Sequence, residues 1–417
     1  MTMTRSLFLS SLLAMAVSLA AQGAPVLHSE LDQSRAVDAS QWSNAWLEID
    51  VVQFEKNLLT LQARLSKDTQ MCVTMKADAY GHGISLLLPA VIKQAIPCIG
   101  VGSNEEARIA REGGFRGRIM RLRAAPLGEM RAAMELHVEE LLGNPETAAQ
   151  LAEAARQAGR EVPFHLALNS GEMNRNGLEV SDEEGKLRAL DILALHGQGL
   201  KPVGIMTHFA LEDLTAIRKG LAAFQADAQA LIRRAGMDRS EILLHAANSL
   251  LTMELPEAHL DMVRPGRILY GDSSYGQFGK LMSFKSRLAA VNEYPAGSGV
   301  GYGHSHILKR ASRLANVPVG YSDGYRRAFG NRGHVLIRGQ RAPIVGGVSM
   351  NTFMVDVTDI PDVSANDEVV LYGRQGRAEV TQAELEEVIK EIMVDMYTPW
   401  SQTNPKIPVA SVEQDSD

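Results

Sequence analysis

The amino-acid sequence predicts an α/β protein in which a (β/α)8 TIM barrel is followed by a β-rich domain. Short β-like runs recur eight times between residues 71 and 264, helical patterns lie between most of them, and this rhythm stops near residue 280. Regular alternation of strands and helices indicates a parallel sheet, and eight such units indicate a barrel. A doubly wound open sheet is the alternative that the same alternation allows.

The individual elements carry recognisable sequence signals. The strand candidates cover residues 71–76, 98–102, 118–123, 138–142, 162–168, 203–208, 242–245 and 262–264. Ser103 and Glu106 have the spacing of a helix-capping box, and residues 213–236 show a long helical pattern. The second domain is predicted from alternating runs at 313–319, 334–337, 353–357 and 368–372, and from a closing helix over 382–396.

The N-terminal segment predicts export to the periplasm. Arg5 gives a basic start, residues 7–21 are apolar, and the small residues that end at Ala24 are typical of a processing site. The apolar run is shorter than the roughly 20 residues that a membrane span needs, so we expect a secretory signal peptide and no membrane anchor. The predicted order is a signal peptide at 1–24, an extension at 25–45, the barrel at 46–280 and the β-rich domain with a terminal helix and an acidic tail at 281–417.

The charge balance and the two cysteines narrow the class of protein further. The formal net charge is −7, which argues against a general nucleic-acid-binding role. Cys72 lies in the first predicted strand and Cys98 in the second. In an oxidising compartment two cysteines on neighbouring strands form a disulfide when their Cα atoms are close enough, and two small buried thiols are the alternative.

Polar residues gather where the predicted strands end. Lys76 ends the first strand, Asn169 follows the fifth, His208 ends the sixth, His245 the seventh and Arg264 the eighth. In a barrel all these ends lie at one mouth, where active sites form. A lysine held there in a partly desolvated pocket has a lowered pKa and acts as a Schiff-base nucleophile. Each residue alone is more often structural, so the prediction depends on their convergence.

Several motifs resemble those of the alanine racemase family, in order, from about residue 46 to residue 397. They are Lys-Ala-Asp-Ala-Tyr-Gly-His-Gly at 76–83, Met-Asn-Arg-Asn-Gly at 173–177, His-Phe-Ala at 208–210, His-Ala-Ala-Asn-Ser at 245–249, Val-Arg-Pro-Gly at 263–266, Gly-Tyr-Gly at 301–303, Gly-Tyr-Ser-Asp-Gly-Tyr at 320–325 and the stretch 342–350. The resemblance implies pyridoxal phosphate as cofactor, free amino acids as substrates and a homodimer with shared active sites.

By this resemblance Lys76 binds the cofactor as a Schiff base and serves as one of two acid/base groups. Tyr302 is similar to the family's second base, which the partner subunit contributes to the opposite face of the substrate carbon. A phenol has a reference pKa of about 10, so it needs a cationic neighbour to act as a base. In the family this network runs through Arg175, which also contacts the substrate, and His208.

The resemblance also assigns the rest of the cofactor site. Arg264 is similar to the arginine that donates to the pyridine nitrogen, and His245 orients it. Arginine keeps its proton, so the ring nitrogen stays unprotonated, the electron sink is weaker and transamination is suppressed. The phosphate site would be formed by Tyr80, Ser249, Gly266, Arg267 and Tyr397.

The segment before Arg175 departs from the family pattern. Family members akin to the cytoplasmic alanine enzymes carry a lysine, often carbamylated, shortly before the matched arginine, whereas residues 166–172 contain no lysine here. Arg121 and Arg123 are two apart in a predicted strand and so point to one face. With Arg175 nearby they would form an uncompensated cationic cluster, which tends to recruit an anion.

We therefore expect a structural chloride or a similar anion, held by Arg121 or Arg123 together with Asn169 or Arg175. In the alternative, the first two arginines pair with acids such as Glu139 or Glu172, as most surface arginines do. No metal site is expected.

A subset of residues resembles the pattern of the exported broad-specificity amino acid racemases. These residues are Arg121, Arg123, Ala167, Asn169, Arg175 and Asn176. Asn351 follows Ser349 and Met350 at a position where the family commonly has aspartate. Met350 and Asn351 are the expected substrate contacts, and loss of an acid there fits substrates whose side chains differ in charge.

The expected function is a periplasmic amino acid racemase of broad specificity, and an exported alanine-specific racemase is the main alternative. An amino acid decarboxylase on the same barrel and a non-catalytic pyridoxal phosphate carrier are further alternatives. The Gly301-Tyr302-Gly303 sequence and the β-rich domain that carries it favour the racemase.

Overall fold

The computed structural model describes residues 39–271 and 275–410. The predicted signal peptide, most of the extension at 25–45 and the acidic tail lie outside the described residues. Within these two ranges none of the helices has both the length and the hydropathy of a membrane span.

After a first strand, β1 (Ala45–Asp50), eight parallel strands form a nearly closed barrel. They are β2 (Gln70–Thr74), β3 (Cys98–Val101), β4 (Arg118–Arg121), β5 (Val138–Leu142), β6 (Val162–Ala167), β7 (Leu200–Met206), β8 (Leu243–His245) and β9 (Met262–Val263). Each strand from β2 to β7 pairs with the next along the chain, and β9 pairs with β2. The barrel prediction is therefore confirmed. A doubly wound sheet would reverse its strand order in the middle, and this sheet does not.

Helices alternate with the barrel strands as the sequence predicts. They span Val51–Gln62, Ile84–Lys93, Asn104–Glu112, Leu127–Ala133, Pro145–Gln157, Glu183–Leu193, Leu214–Arg234 and Ser249–Glu254, and a short helix at Ala39–Trp42 precedes β1. Asp50, Ser103 and Asp213 cap three of them by accepting a hydrogen bond from the backbone N–H three residues later. Glu106 does not complete the predicted capping box, because its carboxylate instead accepts a 2.6 Å hydrogen bond from the backbone N–H of Gly102.

The second domain is built on a mixed, mostly antiparallel sheet. Its strands are β10 (Met282–Arg287), β11 (Ala290–Tyr294), β14 (Ser312–Val317), β15 (His334–Ile337), β16 (Gln340–Val345), β17 (Phe353–Asp356), β18 (Glu368–Gln375), β19 (Ala378–Val380) and β20 (Lys406–Val409), with a separate hairpin of β12 (Gly299–Val300) and β13 (His306–Ile307). β1 belongs to this sheet, between β10 and β20. β1 thus pairs with strands of the second domain, and the barrel strands themselves begin at Gln70.

Two helices, Gln382–Ile389 and Val394–Thr403, replace the single predicted helix over 382–396. Lys390 has a left-handed φ of 59° and ends the first helix. The second helix buries Tyr397 and Trp400, and the chain then returns through β20 to lie parallel to β1.

Cys72 and Cys98 form a disulfide between two barrel strands. They are direct partners in the parallel register of β2 and β3, and they pack with Met120 and Met262 in the barrel interior. Of the two alternatives that the sequence leaves open, the bridge is the one that the structure contains.

Alkylation of the unfolded protein without reductant, followed by mass spectrometry, should add no label to either cysteine. The double variant Cys72→Ala/Cys98→Ala should melt at a lower temperature, because loss of a native disulfide costs about 2–4 kcal/mol of stability. Met120→Leu, in the same cluster, is the matched control and should change the melting temperature much less. Two labelled cysteines in the wild-type protein would contradict the bridge.

Candidate active site

A cavity of about 380 Å³ opens where the barrel strands end. This volume lies in the range of small-molecule sites. The predicted site residues that line it are Lys76, Tyr80, Asn169, Arg175, His208, Ser249, Arg264, Gly266 and Arg267. The lining residues that sequence reasoning missed include Thr74, Leu122, Met206, Glu212 and Tyr275. Residues far apart in the sequence meet here because parallel barrel strands end at one mouth.

The chain makes a left-handed turn immediately after Lys76. Ala77, Asp78 and Ala79 have φ values of 54°, 52° and 55°. Non-glycine residues in this region cost roughly 1–2 kcal/mol each, so the turn needs support from its surroundings. Part of it is local, since the backbone N–H of Ala79 donates to the carbonyl of Met75 at 2.7 Å.

Two carboxylates supply the rest of the support. Glu106 accepts hydrogen bonds from the backbone N–H groups of Asp78 at 3.3 Å and Gly102 at 2.6 Å. Asp78 accepts from the backbone N–H of Ile84 at 2.8 Å and pairs with Lys406 Nζ at 3.1 Å. Since Lys406 begins β20, both domains fix the turn that carries Lys76.

Positive charge dominates the electrostatics around Lys76. Its side chain projects into the open cavity, but burial by the surrounding protein and the charges of Arg175 and Arg264 lower the pKa of its amine, against an opposing effect of Glu106. Burial, Arg264, Arg175 and Lys76 likewise lower the pKa of His208 to about 3. His208 is therefore neutral near neutral pH, and the positive charge beside it comes from Arg175 and Arg264.

Arg264 is buried at the cavity wall and is held by three acceptors. Its Nη1 lies 2.6 Å from His245 Nδ1, and its Nη2 donates to the carbonyl of Thr207 at 2.9 Å and to that of Ala246 at 3.4 Å. Burial lowers the pKa of Arg264 to about 10, which leaves the guanidinium charged at neutral pH. His245, the predicted orienting residue, is in contact with Arg264.

Behind His245 lies a second buried imidazole, His165, which sequence reasoning missed. The signal that could have found it is a polar residue inside an apolar strand run, as in Phe164-His165-Leu166. Glu139 in β5 and Arg118 at the start of β4 contact the same part of the barrel interior.

Ser249, Gly266 and Tyr80 form a cradle on another wall of the cavity. Ser249 Oγ accepts hydrogen bonds from the backbone N–H groups of Gly266 at 3.0 Å and Ile268 at 3.4 Å, so its own proton is left to donate. A Cβ at position 266 would lie 2.4 Å from Tyr80 Oη, so only glycine leaves this space open. Burial raises the pKa of Tyr80 to about 12, and the hydroxyl stays a donor.

Tyr397 does not line the cavity. Its hydroxyl lies 3.1 Å from that of Tyr372, and its ring packs edge-on against His82, which stacks on Tyr270 beside Tyr80. Tyr397 therefore supports the aromatic wall from behind in this structure.

Tyr302, Met350 and Asn351 also lie outside the cavity, on the surface of the second domain. Tyr302 is 88% exposed and Met350 is 54% exposed. The loop before Tyr302 packs against residues 346–347, which lead to Met350. The three residues thus share one face of the chain, away from the cavity of the same chain.

The prediction of an uncompensated arginine cluster is wrong. Arg121 is fully buried and donates to Glu140 at 2.6 and 3.0 Å and to Glu129 at 2.8 Å. Arg123 also pairs with Glu129, at 2.6 and 3.0 Å. These carboxylates pair with Arg121 and Arg123, so these two arginines do not form the uncompensated pair from which a chloride was expected.

Asn169, the third expected anion ligand, lines the cavity but bonds Asn174 at 2.7 Å and Glu179 at 3.0 Å. The alternative of acidic partners is the correct one for the two arginines, although neither Glu139 nor Glu172 is the partner. Sequence could not choose the acids, because the choice depends on which strand or helix faces each guanidinium.

Two family models match the chain. The model of the alanine racemase N-terminal domain matches residues 49–274, and that of the alanine racemase C-terminal domain matches residues 281–408. The chain belongs to the alanine racemase family.

Individual relatives agree with this assignment. The chain is 53% identical over 370 residues to the broad specificity amino-acid racemase of Pseudomonas taetrolens, which covers 88% of this chain and 90% of the relative. It is 54% identical over 367 residues to the broad specificity amino-acid racemase of Aeromonas hydrophila, which covers 87% and 90%. The solved alanine racemase of Streptomyces lavendulae has a TM-score of 0.79 at 30% identity and covers 90% of this chain and 99% of that one.

Alanine racemases use pyridoxal phosphate, and the cavity fits this group. An amine with a lowered pKa, Lys76, is available for its aldehyde, and the buried charge of Arg264 is available for its ring nitrogen. The space above Gly266, with the hydroxyls of Ser249 and Tyr80 beside it, suits a phosphate. These five residues are the ones that would hold the cofactor.

Gly266→Ala should weaken pyridoxal phosphate binding, because the added Cβ displaces Tyr80 from the cradle. Overpacking of this kind costs about 1–3 kcal/mol, which corresponds to roughly a tenfold to hundredfold loss of affinity. Absorbance titration of the cofactor measures it. Gly128→Ala is the matched control, since a Cβ at this exposed helical position meets no atom within 4 Å and should leave the affinity unchanged. Equal affinity in both variants would contradict the assignment.

Proposed function

We propose that this protein is a periplasmic, homodimeric amino-acid racemase of broad specificity that interconverts the L and D forms of free amino acids. The racemase activity itself follows from membership of the alanine racemase family. The observation that carries the proposal is the convergence of Lys76, Arg264 and the cradle at Gly266 around one cavity. An exported racemase specific for alanine is the alternative.

Two observations support broad specificity and export. The two relatives that are 53% and 54% identical over most of their length are broad specificity amino-acid racemases. The N-terminal sequence has the features of a signal peptide, and the bridge between Cys72 and Cys98 suits an oxidising compartment.

The exposed face of the second domain supports a homodimer. Tyr302, Tyr321 and Met350 are 88%, 44% and 54% exposed, and large side chains grouped in this way are typical of protein interfaces. A twofold dimer would bring Tyr302 of the partner subunit to the cavity that holds Lys76.

Racemisation removes a proton from one face of the substrate's α carbon and delivers one to the other face, so two groups must flank that carbon. Pyridoxal phosphate, when bound, supplies the electron sink that stabilises the negative charge left at this carbon. Lys76 is suited to the first face, because its lowered pKa favours the neutral amine that accepts a proton. Tyr302 of the partner subunit would act on the second face.

Two arginines tune these groups. Arg264 remains protonated in its buried position, so it would donate to the ring nitrogen of the cofactor without giving up its proton. A ring nitrogen that stays unprotonated would withdraw less negative charge from the α carbon. Arg175 supplies positive charge at the cavity and binds the substrate carboxylate. His208, which is neutral near neutral pH, contributes no charge of its own.

Loss of optical rotation from L-lysine, L-arginine, L-methionine and L-alanine tests the proposed function directly. Broad specificity predicts racemisation of all four amino acids, whereas turnover of alanine alone would select the alternative. N-terminal sequencing of protein from the periplasmic fraction tests export, and a chain that begins at Met1 in the cytoplasm would refute it.

Lys76→Ala should abolish both the absorbance of bound cofactor and the turnover of every substrate, because Lys76 is the only lysine among the described residues that line the cavity. Lys93→Ala is the matched control, since Lys93 is an exposed lysine at the end of a neighbouring helix. Cofactor absorbance and measurable turnover that persist in Lys76→Ala would remove this lysine from the mechanism.

Tyr302→Phe should keep the cofactor absorbance and lose racemisation in at least one direction. Mixing of Lys76→Ala chains with Tyr302→Phe chains tests whether the site is shared. A shared site restores roughly a quarter of the wild-type activity, because half of randomly paired dimers are mixed and each has one intact site. A site within one chain restores none. Tyr294→Phe, a half-exposed tyrosine of β11, should retain full activity.

A further inference from the structure

A chain of buried hydrogen bonds runs from the cavity into the barrel interior. Arg264 Nη1 lies 2.6 Å from His245 Nδ1, His245 Nε2 lies 2.9 Å from His165 Nδ1, and His165 Nε2 lies 2.8 Å from Glu139 Oε2. Both imidazole rings are fully buried and Glu139 is 7% exposed. We call these four residues the buried relay. Strands β5, β6 and β8 and the residue after β9 hold them in place.

Gly204 makes the contact between the two rings possible. It lies in β7, between the strands that carry His165 and His245. A Cβ at this position would lie 2.3 Å from His165 Nδ1 and 2.9 Å from His165 Cε1. Any side chain at residue 204 would therefore displace His165 from His245.

The two ends of the relay determine where its protons lie. Arg264 only donates hydrogen bonds, so His245 Nδ1 must accept, and a neutral His245 then carries its proton on Nε2. His165 Nδ1 accepts the hydrogen bond that His245 Nε2–H donates, and His165 in turn donates from its own Nε2 to Glu139. An ionised carboxylate only accepts. One arrangement of protons thus satisfies every bond.

The charge states agree with this direction. Burial lowers the pKa of His165, although Glu139 raises it, and burial with the charge of Arg264 lowers the pKa of His245 well below its ordinary value. Burial raises the pKa of Glu139, but hydrogen bonds from His165 and Arg118 outweigh it and hold the pKa at about 2. Both rings are then neutral and Glu139 is ionised.

Arg118 anchors the far end of the relay. Its Nε and Nη2 donate to the two oxygens of Glu139 at 2.8 and 2.9 Å, and its Nη1 donates to Gln70 at 3.2 Å. Arg118 begins β4 and its side chain is 26% exposed, so the relay extends from the cavity toward the opposite end of the barrel.

We propose that Glu139 and His165 are positioning residues for Arg264: they fix His245 as the tautomer that accepts from Arg264, and so hold the guanidinium where it meets the cofactor ring. The link to catalysis rests on the proposed function, whereas the direction of the relay does not.

Glu139→Gln should break this arrangement without changing the shape of the side chain. Three N–H groups converge on the carboxylate, two from Arg118 and one from His165, and an amide offers them a single oxygen. If the amide nitrogen faces His165, that ring must donate from Nδ1, and His245 must then present an N–H to Arg264. Two donors in contact repel, and the guanidinium moves from its position.

NMR of the full-length protein with ¹⁵N-labelled histidine tests the direction, both with and without pyridoxal phosphate. The wild-type protein should show His165 and His245 as neutral rings with the proton on Nε2. His165→Asn and His245→Asn variants assign the two signals. A proton on Nδ1 of either ring, in the wild-type protein, would overturn the proposal whether or not any variant folds.

Two variants and one control test the positioning role. Glu139→Gln and Gly204→Ala should both shift the ring nitrogen signals of His245 and lower kcat by on the order of tenfold, with KM little changed, as loss of a supporting contact does. Glu140→Gln removes a buried carboxylate in the same strand as Glu139. This carboxylate pairs with Arg121 and lies outside the relay, so the variant should change neither the ring nitrogen signals of His245 nor kcat.

The outcomes separate the relay from the proposed function. Wild-type histidine signals in Glu139→Gln, or shifted signals with an unchanged kcat, would overturn the positioning role. If the wild-type protein racemises no amino acid, the proposed function fails, while the histidine spectra still decide the direction of the relay.

Discussion

The buried charge of Arg264 is the constraint on which the site depends. A guanidinium taken out of water must have its N–H groups paired, and here His245 and two backbone carbonyls accept from it. Its charge then acts on its neighbours, lowering the pKa values of Lys76 and His208. Burial is the main cause of both shifts, and the charges of Arg175 and Arg264 lower the two pKa values further.

The second constraint is the strained turn after Lys76. Residues 77–79 adopt left-handed backbone angles that only surrounding contacts can stabilise, and Glu106 and Lys406 provide them from the barrel and from the second domain. The reactive lysine is therefore positioned by both domains. This coupling gives a physical reason for joining a barrel to a β-rich domain whose own exposed face carries Tyr302.

The fold was predictable to a large extent, because the eight apolar strand runs are separated by helical patterns with clear end signals. The convergence of Lys76, His245 and Arg264 was predictable too, because strand ends meet at one mouth. The partners of Arg121 and the role of Glu139 were not. Each depends on which neighbouring strand or helix lies beside a side chain in the fold, and sequence spacing along one strand does not contain that information.

The barrel, the family and the residue types at the cavity were predictable from the sequence, because periodicity and local motifs are properties of the chain. Strand pairing and side-chain packing were needed to show that β1 belongs to the second domain, that Cys72 and Cys98 are bridged, and that Arg121 and Arg123 pair with carboxylates. They also revealed that His165 stands behind His245. All four are contacts between different structural elements, and their geometry exists only once the chain has folded.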